Sequence, residues 1–148
     1  MAIVIIAVFS HSSARILNVP CDYATIQAGI DASYDGDTIL VAPGIYVENL
    51  NFNGHNITLC SRFFIYNDTS AIYETIIDGD SLDSVIKFNH DESNEATITG
   101  FTIRNGAAYN GGGIYCIGAD PAIKWNIITL YIVFLLILYR LLDSFIIF

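Results

Sequence analysis

Few side chains in this sequence are of types that do chemistry, and their spacing narrows the choice further. Asp78-Gly79-Asp80, with Asp83 close behind, sets carboxylates at turn spacing. Calcium takes oxygen ligands from such turns, but Asp-Gly-Asp is also a turn former in its own right. Cys21, Cys60 and Cys116 contain no CxxC pair and have no histidine at zinc spacing, so they are expected to be buried as small apolar residues. His11, His55 and His90 stand singly, as do Arg62, Lys87 and Arg104. The run Gly111-Gly112-Gly113 is not followed by Lys-Ser/Thr, and Ile114-Tyr115-Cys116 reads as a strand; the glycines fit a tight corner better than a phosphate cradle. No serine or cysteine sits in a recognisable nucleophile setting. No catalytic, cofactor-binding or metal-ligating residue is therefore assigned, and no cofactor is expected.

The elements that would carry these residues are short. Ile26 and Ile30 share one face of a helix expected over 22–33, with Asp22 as its cap and Asp35-Gly36-Asp37 as the turn after it. Beyond it, strand cores recur at Ile39-Leu40-Val41, Ile57-Thr58-Leu59, Thr75-Ile76-Ile77, Thr97-Ile98-Thr99 and Ala122-Ile123, about 18, 18, 22 and 25 residues apart. Second short strands are expected at 46–52, 85–88 and 113–116. Ile-rich strands with Asn, Asp and Gly between them, at this period, describe a chain coiling on its own previous turn. A β-sandwich is the alternative fold. The helix at 22–33 would cover the open end of the first turn. Asn49, Asn51, Asn53, Asn56, Asn105 and Asn110 fall at strand ends, where asparagines of successive turns could stack and share amide hydrogen bonds.

Several of these segments resemble a known family. Thr25-Ile26-Gln27-Ala28-Gly29-Ile30-Asp31-Ala32, followed by Gly36-Asp37-Thr38-Ile39-Leu40-Val41-Ala42-Pro43-Gly44-Ile45-Tyr46-Val47-Glu48-Asn49, is similar to the opening of secreted right-handed parallel β-helix proteins of the pectin lyase-like superfamily. Asn56-Ile57-Thr58-Leu59, Thr75-Ile76-Ile77-Asp78-Gly79, Gly100-Phe101-Thr102-Ile103 and Gly111-Gly112-Gly113-Ile114-Tyr115-Cys116 resemble later turns of its bacterial surface members. The resemblance implies an all-β fold: a right-handed parallel β-helix with a short N-terminal capping helix. It is shared by pectin methylesterases, polysaccharide lyases and non-enzymatic adhesin-like proteins, so it does not fix a reaction. In the enzymes of the family the catalytic residues lie in turns that this chain does not reach, and none is carried over.

Composition divides the 148 residues into three parts. Of the whole, 53% are apolar, and the excess sits at the two ends. Residues 2–9 form an apolar run, with Ser12 and Ala14 at −3 and −1 of a cut before Arg15; 1–14 thus reads as a signal peptide, although it lacks a basic start. Residues 15–126 read as a partial β-helix. Residues 127–148 are apolar but for Thr129, Arg140, Asp143 and Ser144, too interrupted for a clean membrane span. That tail reads as a frameshifted non-native sequence, a membrane anchor or a buried last element.

The net charge of −9, with no basic run, excludes nucleic acid as a partner. The carboxylates between Asp68 and Glu95 read as a solvated face. The expected function is that of an extracellular or cell-surface module, non-enzymatic, structural or glycan-contacting, with Tyr46, Tyr109 and Asn110 as sugar contacts. The alternative is an N-terminal fragment of a polysaccharide lyase or pectinesterase-like enzyme. The expected partners are polysaccharide or cell-envelope components, with a membrane only if the tail anchors the chain.

Overall fold

β-branched residues at alternate positions and turn formers every few residues yield strands of two to four residues, joined by tight corners. The computed structural model describes residues 13–129. The leader read at 1–14 and the tail read at 127–148 lie outside these residues, except for 13–14 and 127–129. Strand β1 (Ile16–Val19) is followed by helix α1 (Ile26–Asp31). A first turn then holds β2 (Thr38–Val41), β3 (Gly44–Val47) and β4 (Leu50–Asn51). A second holds β5 (Thr58–Ser61), helices α2 (Phe63–Tyr66) and α3 (Ser70–Glu74), β6 (Thr75–Asp78) and β7 (Ile86–Phe88). A third has β8 (Thr97–Thr99), β9 (Thr102–Arg104) and β10 (Ile114–Cys116), and a fourth begins with β11 (Ala122–Lys124) and β12 (Ile127–Thr129).

The strands assemble into three sheets, β1-β2-β5-β8-β11, β3-β6-β9-β12 and β4-β7-β10, and every pairing is parallel. The chain visits the sheets in fixed rotation, so each strand pairs with its counterpart one turn away. This is an all-β, parallel, solenoid-like coil. A β-sandwich, whose strands pair antiparallel, does not describe it. Residues 127–129, read as the start of the tail, are a strand of the coil.

Register puts like residues in columns. Leu17, Ile39, Leu59, Ile98 and Ile123 stack down the inside of the first sheet. Tyr46, Ile77, Ile103 and Ile128 line the second, and Leu50, Ile86 and Ile114 the third. Phe52 and Phe88 stack at the next corner with ring centroids 4.2 Å apart. Most of these side chains are fully buried, each contributing about 1.5–3 kcal/mol.

The period differs from the one expected. Thr75–Asp78 belongs to the second sheet, not the first, and 46–52 is broken into two strands on different sheets. Strands of the first sheet start at Ile16, Thr38, Thr58, Thr97 and Ala122, so successive spacings are 22, 20, 39 and 25 residues. The long turn contains the helical insertion. Hydropathy did not reveal it, because helices of four and five residues carry no periodic stripe and neither has a side-chain N-cap.

Helix α1 covers the start of the coil, packed on β1, β2 and β4 with Ile26 and Ile30 buried. Its cap is not Asp22, which instead accepts hydrogen bonds from the Asn18 backbone and side-chain amides. Thr25 Oγ1 accepts from Ala28 N, and the Glu48 carboxylate accepts from Ile26 N and Gln27 N at 2.9 Å each. Glu48 thus ties the helix to the first turn through the orphan N–H groups of its N-terminus. Gln27 goes further. Its Nε2 donates to Asn51 O at 3.0 Å and its Oε1 accepts from Asn51 N at 2.9 Å. One side-chain amide supplies the donor and acceptor that a preceding strand would offer β4, closing that edge of the third sheet.

Gln27→Ala should therefore release both backbone groups of Asn51, costing about 1–3 kcal/mol in urea denaturation. Hydrogen exchange of the Asn51 amide should accelerate more than that of Ile98; equal or absent acceleration would show that Gln27 does not close the edge.

Candidate functional site

Alternation along the first sheet turns one set of side chains out. Thr38, Thr58 and Thr97 form one outward column, and Leu40, Cys60, Thr99 and Lys124 the other. Cys60 and Thr99 point away from the core, yet are 0% and 3% exposed. The cover comes from the insertion in the long turn, since α2 packs against β5 and Phe63 is buried with Ala71, Ile72 and the half-buried Ile127. Between this insertion and the sheet opens a cleft of about 660 Å³, lined by Thr58, Thr97, Thr99 and Lys124 on the floor and by Phe63, Phe64, Asn67, Thr69 and Trp125 on the walls.

Trp125 occupies an unusual corner. Thr99 pairs with Lys124, so Gly100 and Trp125 hold the same place in successive turns, with φ of +86° and +53°. At Gly100 the residue type is dictated, since a Cβ there would lie 2.4 Å from Ser61 Oγ. At Trp125 a bulky residue adopts the left-handed conformation, at a cost of about 1–2 kcal/mol. Asn126 holds the corner: its Oδ1 accepts from Phe101 N and its Nδ2 donates to Ile98 O, both at 3.0 Å. The indole is 72% exposed and stands 6.0 Å from the Phe63 ring, centroid to centroid. Strain of this kind, retained where an aromatic ring faces an open cleft, fits a binding role.

The cleft also has a distinctive charge. Arg15, Lys87 and Arg104 are each paired, with Asp37, Asp83 and Asp78. Lys124 has no ion-pair partner among the described residues, and no carboxylate lines the cleft with it. In a chain of net charge −9, this is a locally cationic hollow.

The residues singled out from sequence do not gather. Tyr46 donates its hydroxyl hydrogen to Ala42 O, and its ring packs on the core. Tyr109 is fully exposed, and Asn110 borders a separate hollow of about 240 Å³ with Asp83, Ser84, Lys87, Ala108 and Tyr115. The carboxylates considered for calcium are dispersed. Asp78 accepts from Arg104 Nε, from Asn105 Nδ2 and from Asp80 N, while Asp83 pairs with Lys87. Burial would raise the Asp78 pKa, but these hydrogen bonds together outweigh it and hold the group below the usual carboxylate range. Among the described residues no three His, Cys, Asp or Glu side chains come together as a metal site.

Other expectations need correction. The acidic segment is not wholly a solvated face: Asp78 and Glu92 are buried, and Glu92 accepts from Gly54 N and His90 N, bridging two turns. Only Cys60 of the three cysteines is buried, and burial pushes its thiol up to about 12, far from a thiolate nucleophile. Among the described residues the asparagine side chains make no amide hydrogen bond to one another; they bond to other groups of neighbouring turns, Asn53 and Asn105 to the carboxylates of Asp31 and Asp78. Asn49 Nδ2 donates to Gly79 O and Ser84 O, and Asn56 Oδ1 accepts from Ser93 N and Oγ. The glycine run does make a close corner, where a Cβ on Gly106 would fall 1.7 Å from Gly112 O.

A scan against protein-family models finds no match for this chain, and no curated protein is significantly similar to it in sequence.

Replacing Trp125 by glycine relieves the left-handed strain while removing a largely exposed ring. Trp125→Gly should change the stability by less than about 1 kcal/mol. Asn126→Ala should instead lose about 1–3 kcal/mol by leaving Phe101 N unpaired and removing the second bond to Ile98 O. The reverse order in thermal or urea unfolding would refute this account of the corner.

Proposed function

We propose that this chain is an exported, non-enzymatic module built as a right-handed parallel β-helix, which contacts acidic glycans at the cell surface through the cleft on its first sheet. The right hand follows from the near-universal hand of parallel crossovers and from the resemblance to the pectin lyase-like superfamily. Export follows from the leader reading of 1–14. Among the described residues no helix is long and apolar enough to cross a membrane.

The observation that carries the glycan reading is the lining of the cleft. Trp125 and Phe64 offer aromatic faces, Thr58, Thr97, Thr99, Thr69 and Asn67 offer hydroxyl and amide groups, and Lys124 offers a cation with no competing carboxylate. Aromatic faces pack on the apolar face of a pyranose ring while the polar groups meet its hydroxyls. Lys124 favours a sugar that carries a carboxylate or sulfate. The rigid floor, three strands held in register, would present these groups with little ordering cost on binding.

Trp125 is the chain's single tryptophan, so its fluorescence reports on the cleft directly. Titration with uronate oligosaccharides should give a saturable change in emission, and with neutral ones a weaker one. Lys124→Gln should weaken the acidic ligands about 2–5-fold and leave neutral ones unchanged. A folded protein whose emission responds to no glycan would overturn the binding reading. Release of unsaturated uronate products would overturn the non-enzymatic one.

A further inference from the structure

Arg15 is gripped at the start of the described coil, and the grip includes its main-chain nitrogen. Arg15 N donates to Asp37 Oδ1 at 2.8 Å, while the guanidinium donates through Nε and Nη2 to Asp37 Oδ2 and through Nη2 to Ala32 O. Arg15 O in turn accepts from Thr38 N at 2.8 Å. Asp37 is only 1% exposed, and Tyr34 N completes its set of donors. Immediately before this anchor, Ser13 and Ala14 are exposed, lie in no strand and make no hydrogen bond among the described residues. Among the described residues, the hold on the chain begins at Arg15. The small residues Ser12 and Ala14 mark the bond just before it from the sequence side.

We infer that cleavage of the Ala14–Arg15 bond makes the N-terminus of the working protein, and that the α-ammonium so formed is seated on the Asp37 carboxylate. The step is a hydrolysis by an export peptidase. Water adds its hydroxyl to the Ala14 carbonyl carbon, the C–N bond breaks, and the Arg15 nitrogen takes the proton and then a second one from solvent. What was an uncharged N–H donor to the carboxylate at 2.8 Å becomes a charged donor in the same place, so that a hydrogen bond with one ionised partner becomes an ion pair. The inference rests on the export part of the function proposed above and is independent of the glycan part.

The groups facing the new ammonium set its titration. Asp37 lies in contact with it, and the Arg15 guanidinium, over the Tyr34 ring at 5.1 Å, binds the same carboxylate; Tyr23 also lies close enough to act on the Arg15 charge. Asp37 itself is held down to about 2, chiefly by the hydrogen bond from Arg15, so it stays charged through the range where an amine titrates. The carboxylate is the contribution that folding adds, since the arginine's own guanidinium accompanies the amine in the unfolded chain as well.

The test uses the full chain with its own leader, expressed in a secreting host, and intact-mass measurement of the exported protein. A start at Arg15 is expected. A start at another residue would overturn the inference while leaving export standing, and retention of residues 1–14 would overturn both. On the exported protein, the pH profile of N-terminal acetylation should have its midpoint above that of the same protein unfolded in urea, because the Asp37 carboxylate favours the charged amine only in the folded state. An identical midpoint in the folded and unfolded states would overturn the seat on Asp37.

Discussion

Each strand of the described coil pairs with its counterpart in a neighbouring turn, and pairing in parallel register is the constraint from which the rest follows. Because the pairing is parallel, residue i of one strand lies beside its counterpart in the next turn, and inward and outward sides are the same throughout a column. Leu17, Ile39, Leu59, Ile98 and Ile123 can therefore share one interior column only if no turn slips by a residue. A one-residue slip would bring Thr58 and Thr97 inside and expose Leu59 and Ile98. The corners enforce the register from outside the strands. Gly100 is possible only without a side chain, and Asn126 ties the next corner to Phe101 and Ile98.

The same constraint explains the ends. A stack of turns has two open faces, each with unpaired backbone groups and apolar side chains. At the start, α1 supplies Ile26 and Ile30 as a lid, and Gln27 imitates a strand toward Asn51. In the last described turn, Ile123 and Ile128 occupy inward columns and are 43% and 50% exposed. Insertions, by contrast, are tolerated wherever a corner can open outward. The helices α2 and α3 lengthen one turn to 39 residues without disturbing the pairing of β5 with β8, and the cleft exists because they do.

How much of this was legible depended on the range of the signal. Ile39, Leu59 and Ile98 were readable as strand centres because β-branched and aliphatic residues alternate with threonine over a few positions. The sheet to which each strand belongs was not, since that depends on corner lengths; Thr75–Asp78 takes the ordinary second-sheet place after β5, but the insertion delays it until it falls at the spacing of a first-sheet strand. The cap was legible as Ile26 and Ile30 four apart, whereas its closing contacts come from Glu48 and Asn51, more than twenty residues away. The cleft was the least legible feature. Phe64, Asn67 and Trp125 are scattered in sequence and meet only because a turn of 39 residues folds over its neighbours. A lone tryptophan beside a lysine, at a position where the preceding turn has glycine, was the available clue.

The central claim is that consecutive turns, not consecutive segments, are neighbours. Backbone and methyl NOEs measured on labelled protein test it most directly. The account predicts cross-strand contacts from Thr58 to Thr97 and from Leu59 to both Ile39 and Ile98, all in parallel register. Antiparallel contacts between β2 and β3, or between β8 and β9, with none between β5 and β8, would contradict it.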